Sequence, residues 1–78
     1  MKSEKRDLFI EDIIQMAEDG DLQSMYILGR VLFTGDEELE ISQDIEASKK
    51  LIYAAADQGH KGAKEFIGQI RVYETLYE

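Results

Sequence analysis

Met16-Ala17-Glu18-Asp19-Gly20-Asp21 returns 39 residues later as Ala55-Ala56-Asp57-Gln58-Gly59-His60. Two flanking blocks keep the same offset. Ser24-Met25-Tyr26-Ile27-Leu28-Gly29 lines up with Ala63-Lys64-Glu65-Phe66-Ile67-Gly68, and Ile13-Ile14 lines up with Ile52-Tyr53. Three blocks in one register define an internal repeat, and that decides the fold before any single element is assigned.

Working outward, each block reads as helix. Leu8, Ile10, Ile13, Ile14 and Ala17 recur mostly every three or four residues, which predicts a helix over 6–19 with one apolar face. Gly20 ends it by offering a left-handed residue just past the last turn. Asp21 then caps a second helix over 21–34, whose apolar positions are Leu22, Met25, Leu28, Val31 and Leu32, and Gly35 closes that one. The acidic run from Asp36 to Gln43, with only Leu39 and Ile41 apolar, reads as a loop. Asp44 caps a third helix over 44–58, Gly59 ends it, and a fourth covers 60–77 with His60 at its start. No segment alternates as a strand would. Gly29 and Gly68 sit inside helices, where each costs about 1 kcal/mol relative to Ala. With the Ala55-Ala56 pair, they predict close helix packing. The expected fold is all-α: two stacked helical hairpins, four antiparallel helices forming a short α-solenoid over the single domain 1–78.

Composition limits what such a chain does. Seventy-eight residues bury only a modest core, too little for a lidded cleft and a second domain. Without cysteine there is no disulfide, thiolate nucleophile or thiolate metal site. The apolar run near the N-terminus stops at Ile10, too short for a signal peptide, and nowhere do eighteen apolar residues adjoin. The cytoplasm is the expected compartment, and Met1 together with the helical ending suggests an intact small protein. A net charge of −8 argues against direct binding to nucleic acid, which rests on cations neutralising phosphates. The middle third is the most lopsided: Arg30 alone faces Asp21, Asp36, Glu37, Glu38, Glu40 and Asp44. Solvation of a loop, capture of a basic surface and mimicry of a nucleic-acid strand all fit that pattern.

These residues resemble the Sel-1-like repeat family, a branch of the tetratricopeptide-type helical repeats. Gly20, Ser24, Leu28, Gly29, Leu32, Gly35, Asp44, Ser48, Leu51, Ala55, Ala56 and Gly59 occupy that family's pattern, and Ala63, Ile67 and Gly68 begin a further copy. The resemblance covers residues 7–77, one complete repeat between half-repeats. Serine stands at the first small position, Leu32 at the usual Tyr and Leu51 at the usual aromatic. The loop from Gly35 to Asp44 is longer than the family's and lacks its second glycine, and Arg71 stands at the second tyrosine position. What the resemblance implies is a concave groove lined by the first helix of each pair. Carried over position by position, it places Gln23, Tyr26, Arg30 and Phe33 there, with Gly62, Glu65, Gln69 and Val72 as their counterparts and Tyr73 adjacent.

Signals for chemistry are sparse. His60 is the lone histidine, with no partner constellation for catalysis or metal ligation. There is no Gly-x-Ser-x-Gly and no phosphate loop, and Asp36-Glu37-Glu38-Leu39-Glu40 lacks the alternate spacing and central glycine of a calcium loop. No catalytic residue, cofactor or metal is expected. Arg30 is the strongest binding residue, because a planar guanidinium suits carboxylate or backbone recognition; a solvated arginine, or one paired with Asp36 or Glu37, is the alternative. Tyr26 fits either the groove or the core, and one of Leu32 and Phe33 must be partly exposed. Beyond the motif, Ile70, Val72, Tyr73, Leu76 and Tyr77 either fold back as a cap or form an interface, including a homodimer through 70–77. The expected function is non-enzymatic: binding another protein's helix or peptide in the groove. The alternative is a small acidic inhibitor, of the phage anti-defence or nucleic-acid-mimic type, acting through Asp36, Glu37, Glu38 and Glu40.

Overall fold

In the computed structural model, residues 2–77 are described, with side chains from Ile10 onward, so Met1 and the side chain of Leu8 lie outside that set. Four helices follow one another: α1 (Lys2–Glu18), α2 (Leu22–Thr34), α3 (Ile45–Asp57) and α4 (Lys61–Tyr77). There is no strand among the described residues beyond one isolated bridge. α1 begins four residues earlier than the apolar spacing predicts, because helix geometry continues through Lys2 to Lys5 without an apolar face to mark it. The other boundaries fall within a residue of expectation, since each is set by a cap.

The caps act as their residue types dictate. Asp21 accepts from the Ser24 amide at 2.9 Å and from the Ser24 hydroxyl at 2.7 Å. Those two bonds, the hydroxyl first, hold its carboxyl below the usual carboxylate range. Asp44 accepts from the Ala47 amide at 3.1 Å. At α4 the acceptor is a histidine: His60 Nδ1 takes the Ala63 amide at 3.0 Å. Gly20 and Gly59 close α1 and α3 with φ of 93° and 102°.

Each helix packs chiefly on its sequence neighbours. The core is built from small and medium side chains: Ala17, Met25, Ile52, Ala55, Ala56, Ala63 and Ile70. α2 and α3 run antiparallel, with the Asp44 amide on the Leu32 carbonyl at 2.8 Å and the Ser48 hydroxyl on the Gly29 carbonyl at 2.6 Å. At that crossing a Cβ on Gly29 would lie 2.7 Å from Ile52 Cδ1. Gly29 is therefore the close-packing glycine that the sequence predicts. Gly68 is not: it is exposed, and a Cβ there would meet nothing within 4 Å. The reason is positional, because no helix lies on α4 where α3 lies on α2.

The loop after α2 is more ordered than its composition suggests. Asp36 and Ile41 exchange two backbone hydrogen bonds, at 2.8 and 2.9 Å, closing a small hairpin. The Asp36 carboxylate accepts from the Glu38 and Leu39 amides, and Glu40 turns the chain at φ 57°. The far end is tied to α2 by Gln43 Nε2 donating to the Phe33 carbonyl at 3.0 Å. Toward its C-terminal end, α4 divides. Ile70 is buried and Tyr73 half-buried, whereas Val72, Leu76 and Tyr77 are 59, 69 and 71% exposed. That tail thus folds back along one face and leaves the other bare.

Candidate binding groove

α2 and α4 are separated in sequence by all of α3, yet their side chains meet. The Phe33 ring stands edge-on to Phe66 at 5.2 Å and to Tyr73 at 5.4 Å, and Tyr73 lies 4.8 Å from Tyr77. At the other end Tyr26 stacks on His60 at 4.7 Å. Between these two contacts opens a groove of about 660 Å³. Its apolar wall comes from Tyr26, Ile27, Val31, Phe33 and Phe66, and its polar wall from Arg30, Glu65, Gln69 and Asp36.

Gly62 is needed at the groove's end. A Cβ there would lie 3.0 Å from both Tyr26 Cζ and His60 Cε1, so a side chain would push the stacked pair apart. His60 is itself fixed at both ring nitrogens. Because Nδ1 accepts the Ala63 amide, the ring carries its proton on Nε2, and that donates to Gln23 Oε1 at 2.7 Å. Gln23, His60 and Tyr26 thereby join α2 to the start of α4.

Arg30 lies across the aromatic wall. Its guanidinium carbon is 5.5 Å from the Tyr26 ring centre and 5.6 Å from that of Phe66, and Nη1 donates to the Tyr26 hydroxyl at 3.3 Å. Its mapped contacts are therefore rings and a hydroxyl, with no ion pair to Asp36 or Glu37 among the described residues. A guanidinium laid on two rings is restrained but keeps N–H groups available, since one face is satisfied by π electrons that make no directional demand.

Of the residues expected in the groove, Tyr26, Arg30, Phe33, Gly62, Glu65 and Gln69 line it. Gln23 sits outside, holding His60. Tyr73 stands behind Phe33, and Val72 is exposed farther along α4. Tyr26 serves both of its readings, half-buried against the core and facing the groove. Leu32 and Phe33 are both half-buried. Sequence reasoning missed Ile27, Val31, Thr34 and Phe66. The signal was there, because Phe66 follows Gly62 by four and precedes Gln69 by three on the same α4 face. The acidic residues Asp36, Glu37, Glu38 and Glu40 lie on the hairpin at the end of α2, and only Asp36 also reaches the groove.

Among the described residues no cluster of three or more His, Cys, Asp or Glu is placed to hold a metal ion, and no helix is long and apolar enough to cross a membrane. Compared with known proteins, the chain matches no family model, no curated protein and no solved structure.

Proposed function

We propose that this chain is a short α-solenoid of the Sel-1-like kind, two stacked helical hairpins, that binds another protein without chemistry of its own. The groove between α2 and α4 takes a partner's helix or extended segment. The observation that carries this reading is Arg30, restrained on the Tyr26 and Phe66 rings at the edge of an aromatic wall. Arginine and tyrosine, here beside a half-buried ring cluster, are residue types enriched in interface hot spots. Across the groove, Gln69 offers both a donor and an acceptor and Glu65 offers a carboxylate. The ligand this wall suits has an apolar anchor for the rings and a carboxylate or backbone carbonyl for Arg30. The setting expected from the composition, the cytoplasm, is part of the proposal.

The hairpin supports a second reading, an acidic inhibitor that occludes a basic surface. Its backbone is braced by the Asp36–Ile41 pair, so Glu37 and Glu40 are displayed from a fixed turn.

A displayed library of helical and extended peptides tests both. Binders selected on the native chain should lose affinity at least about tenfold with Arg30→Ala/Gln69→Ala, two exposed positions that leave the core alone. They should be indifferent to Glu37→Gln/Glu40→Gln. Binders that are basic and respond only to the hairpin variant would favour the inhibitor. Failure to select any peptide would remove the groove reading.

A further inference from the structure

The repeat register shows which surface of α4 is bare. Adding 39 to the α2 residues Leu22, Met25, Leu28, Gly29 and Leu32 gives Lys61, Lys64, Ile67, Gly68 and Arg71. On α2 that stripe lies under α3: Met25 and Gly29 are buried, and Gly29 receives Ile52, Leu51 and the Ser48 hydroxyl. On α4 the stripe is open. Lys61, Lys64, Gly68 and Arg71 are all exposed, and beside them a shallow depression runs between Ile67 and Tyr53, Ala54, Ala56 and Asp57 of α3.

The opposite end of the molecule carries the matching piece. By the same offset α1 corresponds to α3, with Asp12 in the place of Leu51, Met16 in that of Ala55 and Asp19 in that of Gln58. Asp12, Met16 and Asp19 are spaced by four and three, forming a stripe beside the buried Ile10, Ile13 and Ala17. All three are exposed, and Met16 is 45% so, although its counterpart Ala55 is fully buried. Among the described residues, the first helix is thus of the α3 type and the last of the α2 type.

We infer that copies of this chain stack head to tail, with α1 of one copy lying on α4 of the copy before it, as α3 lies on α2. The inference rests on the repeat reading proposed above but not on what the groove holds. Its occupant is fixed by charge as well as by shape. Three of the nine cations of an acidic chain stand on the α4 stripe, and the α1 stripe is Asp-Met-Asp. In the antiparallel register of α2 and α3, where Gly29 lies on Ile52 and Leu51, Gly68 meets Ile13 and Asp12 of the next copy, Lys64 lies beside Met16, and Lys61 meets Asp19. Gly68 is then the notch for the incoming helix, which gives an exposed mid-helix glycine a physical role. Such an interface is heterologous, so it propagates rather than stopping at a pair.

The 78-residue chain has no cysteine, so single cysteines report the register cleanly. Asp12→Cys mixed with Gly68→Cys should form a mixed disulfide under mild oxidation, many-fold more than either forms with itself. Sedimentation velocity should show a mass that rises with concentration and falls with added salt. Lys61→Glu/Lys64→Glu and Asp12→Lys/Asp19→Lys should each weaken association about tenfold or more, and mixing the two should restore it. Lys61→Glu/Lys64→Glu places acids in the first turn of α4, where they favour the helix, and circular dichroism of both variants separates loss of fold from loss of association. A chain that stays monomeric at every concentration overturns the inference. So does a dominant Gly68→Cys homodimer, or association indifferent to Asp12→Lys/Asp19→Lys. Groove peptides should still bind the Lys61→Glu/Lys64→Glu chain, so failure here and failure of the groove reading are told apart.

Discussion

Replacing Gly29 or Gly68 by alanine places the same methyl group in the interior of two helices, and the structure assigns the two substitutions opposite signs. Helix propensity favours alanine by about 1 kcal/mol at either position. At Gly68 nothing lies within 4 Å of the new Cβ, so the gain stands. At Gly29 the methyl would come within 2.7 Å of Ile52 Cδ1 and 2.8 Å of its Cγ1, and Ile52 is fully buried in the core, so any shift of its side chain must displace packed neighbours. Overpacking of that kind costs roughly 1–3 kcal/mol, which outweighs the propensity gain. The two variants should therefore differ by about 2 kcal/mol. For a domain of this size that is about 10 °C in Tm, read by thermal circular dichroism at low micromolar concentration. A cycle locates the cause: in an Ile52→Val background, which lacks Cδ1, Gly29→Ala should cost less than it does alone. If Gly29→Ala stabilises as much as Gly68→Ala, the close approach of α3 to α2 is wrong, and with it the argument for a bare α4 stripe.

Other expectations concern caps, turns and pH. Ser48→Ala removes a buried hydroxyl from the Gly29 carbonyl and should cost about 1 kcal/mol in urea unfolding, since the carbonyl keeps its helical partner. His60→Asp should retain the α4 cap, whereas His60→Ala should lose about 1 kcal/mol; equal losses would mean that the Gln23 and Tyr26 contacts matter more than the cap. Glu40→Gly frees a side-chain-bearing residue from φ 57° and should raise stability by roughly 0.5–1 kcal/mol. The lowered pKa of Asp21 means that its contribution is present above the unfolded value of 3.8 and is lost as pH falls through the folded pKa. Asp21→Asn should therefore lower the urea midpoint at neutral pH and flatten its acid limb below about pH 4, where the two chains converge.

How much of this was legible in the residues follows from where each signal resides. Helix ends were readable because their causes are local: Asp21, Asp44, Gly20 and Gly59 act on amides and torsions within four positions. The four-helix all-α organisation followed from those ends. Gly68 misled because sequence identity with Gly29 says nothing about whether a neighbour occupies the space beside it. The hairpin was hidden for a similar reason. Its closure depends on Asp36 and Ile41 pairing across a turn led by Glu40, a residue type that seldom takes positive φ. In the groove, residue types at helical spacing were readable, but the seat of Arg30 on two rings depends on how α4 crosses α2. An ion pair with the nearby acids was as reasonable from the chain alone.

The stacked aromatics have an optical consequence. The chain has four tyrosines and no tryptophan, so its near-ultraviolet absorption and emission come from Tyr26, Tyr53, Tyr73 and Tyr77. Two of these bracket the groove: Tyr26 against His60 and Arg30, and Tyr73 against Phe33. A ligand that lifts the guanidinium from Tyr26 changes the phenol's hydrogen bond and hence its emission, with no label attached. A tryptophan in the ligand can be excited beyond 295 nm, where the protein is dark. Donor quenching in one channel and acceptor emission in the other then report occupancy of the same few ångströms from both sides.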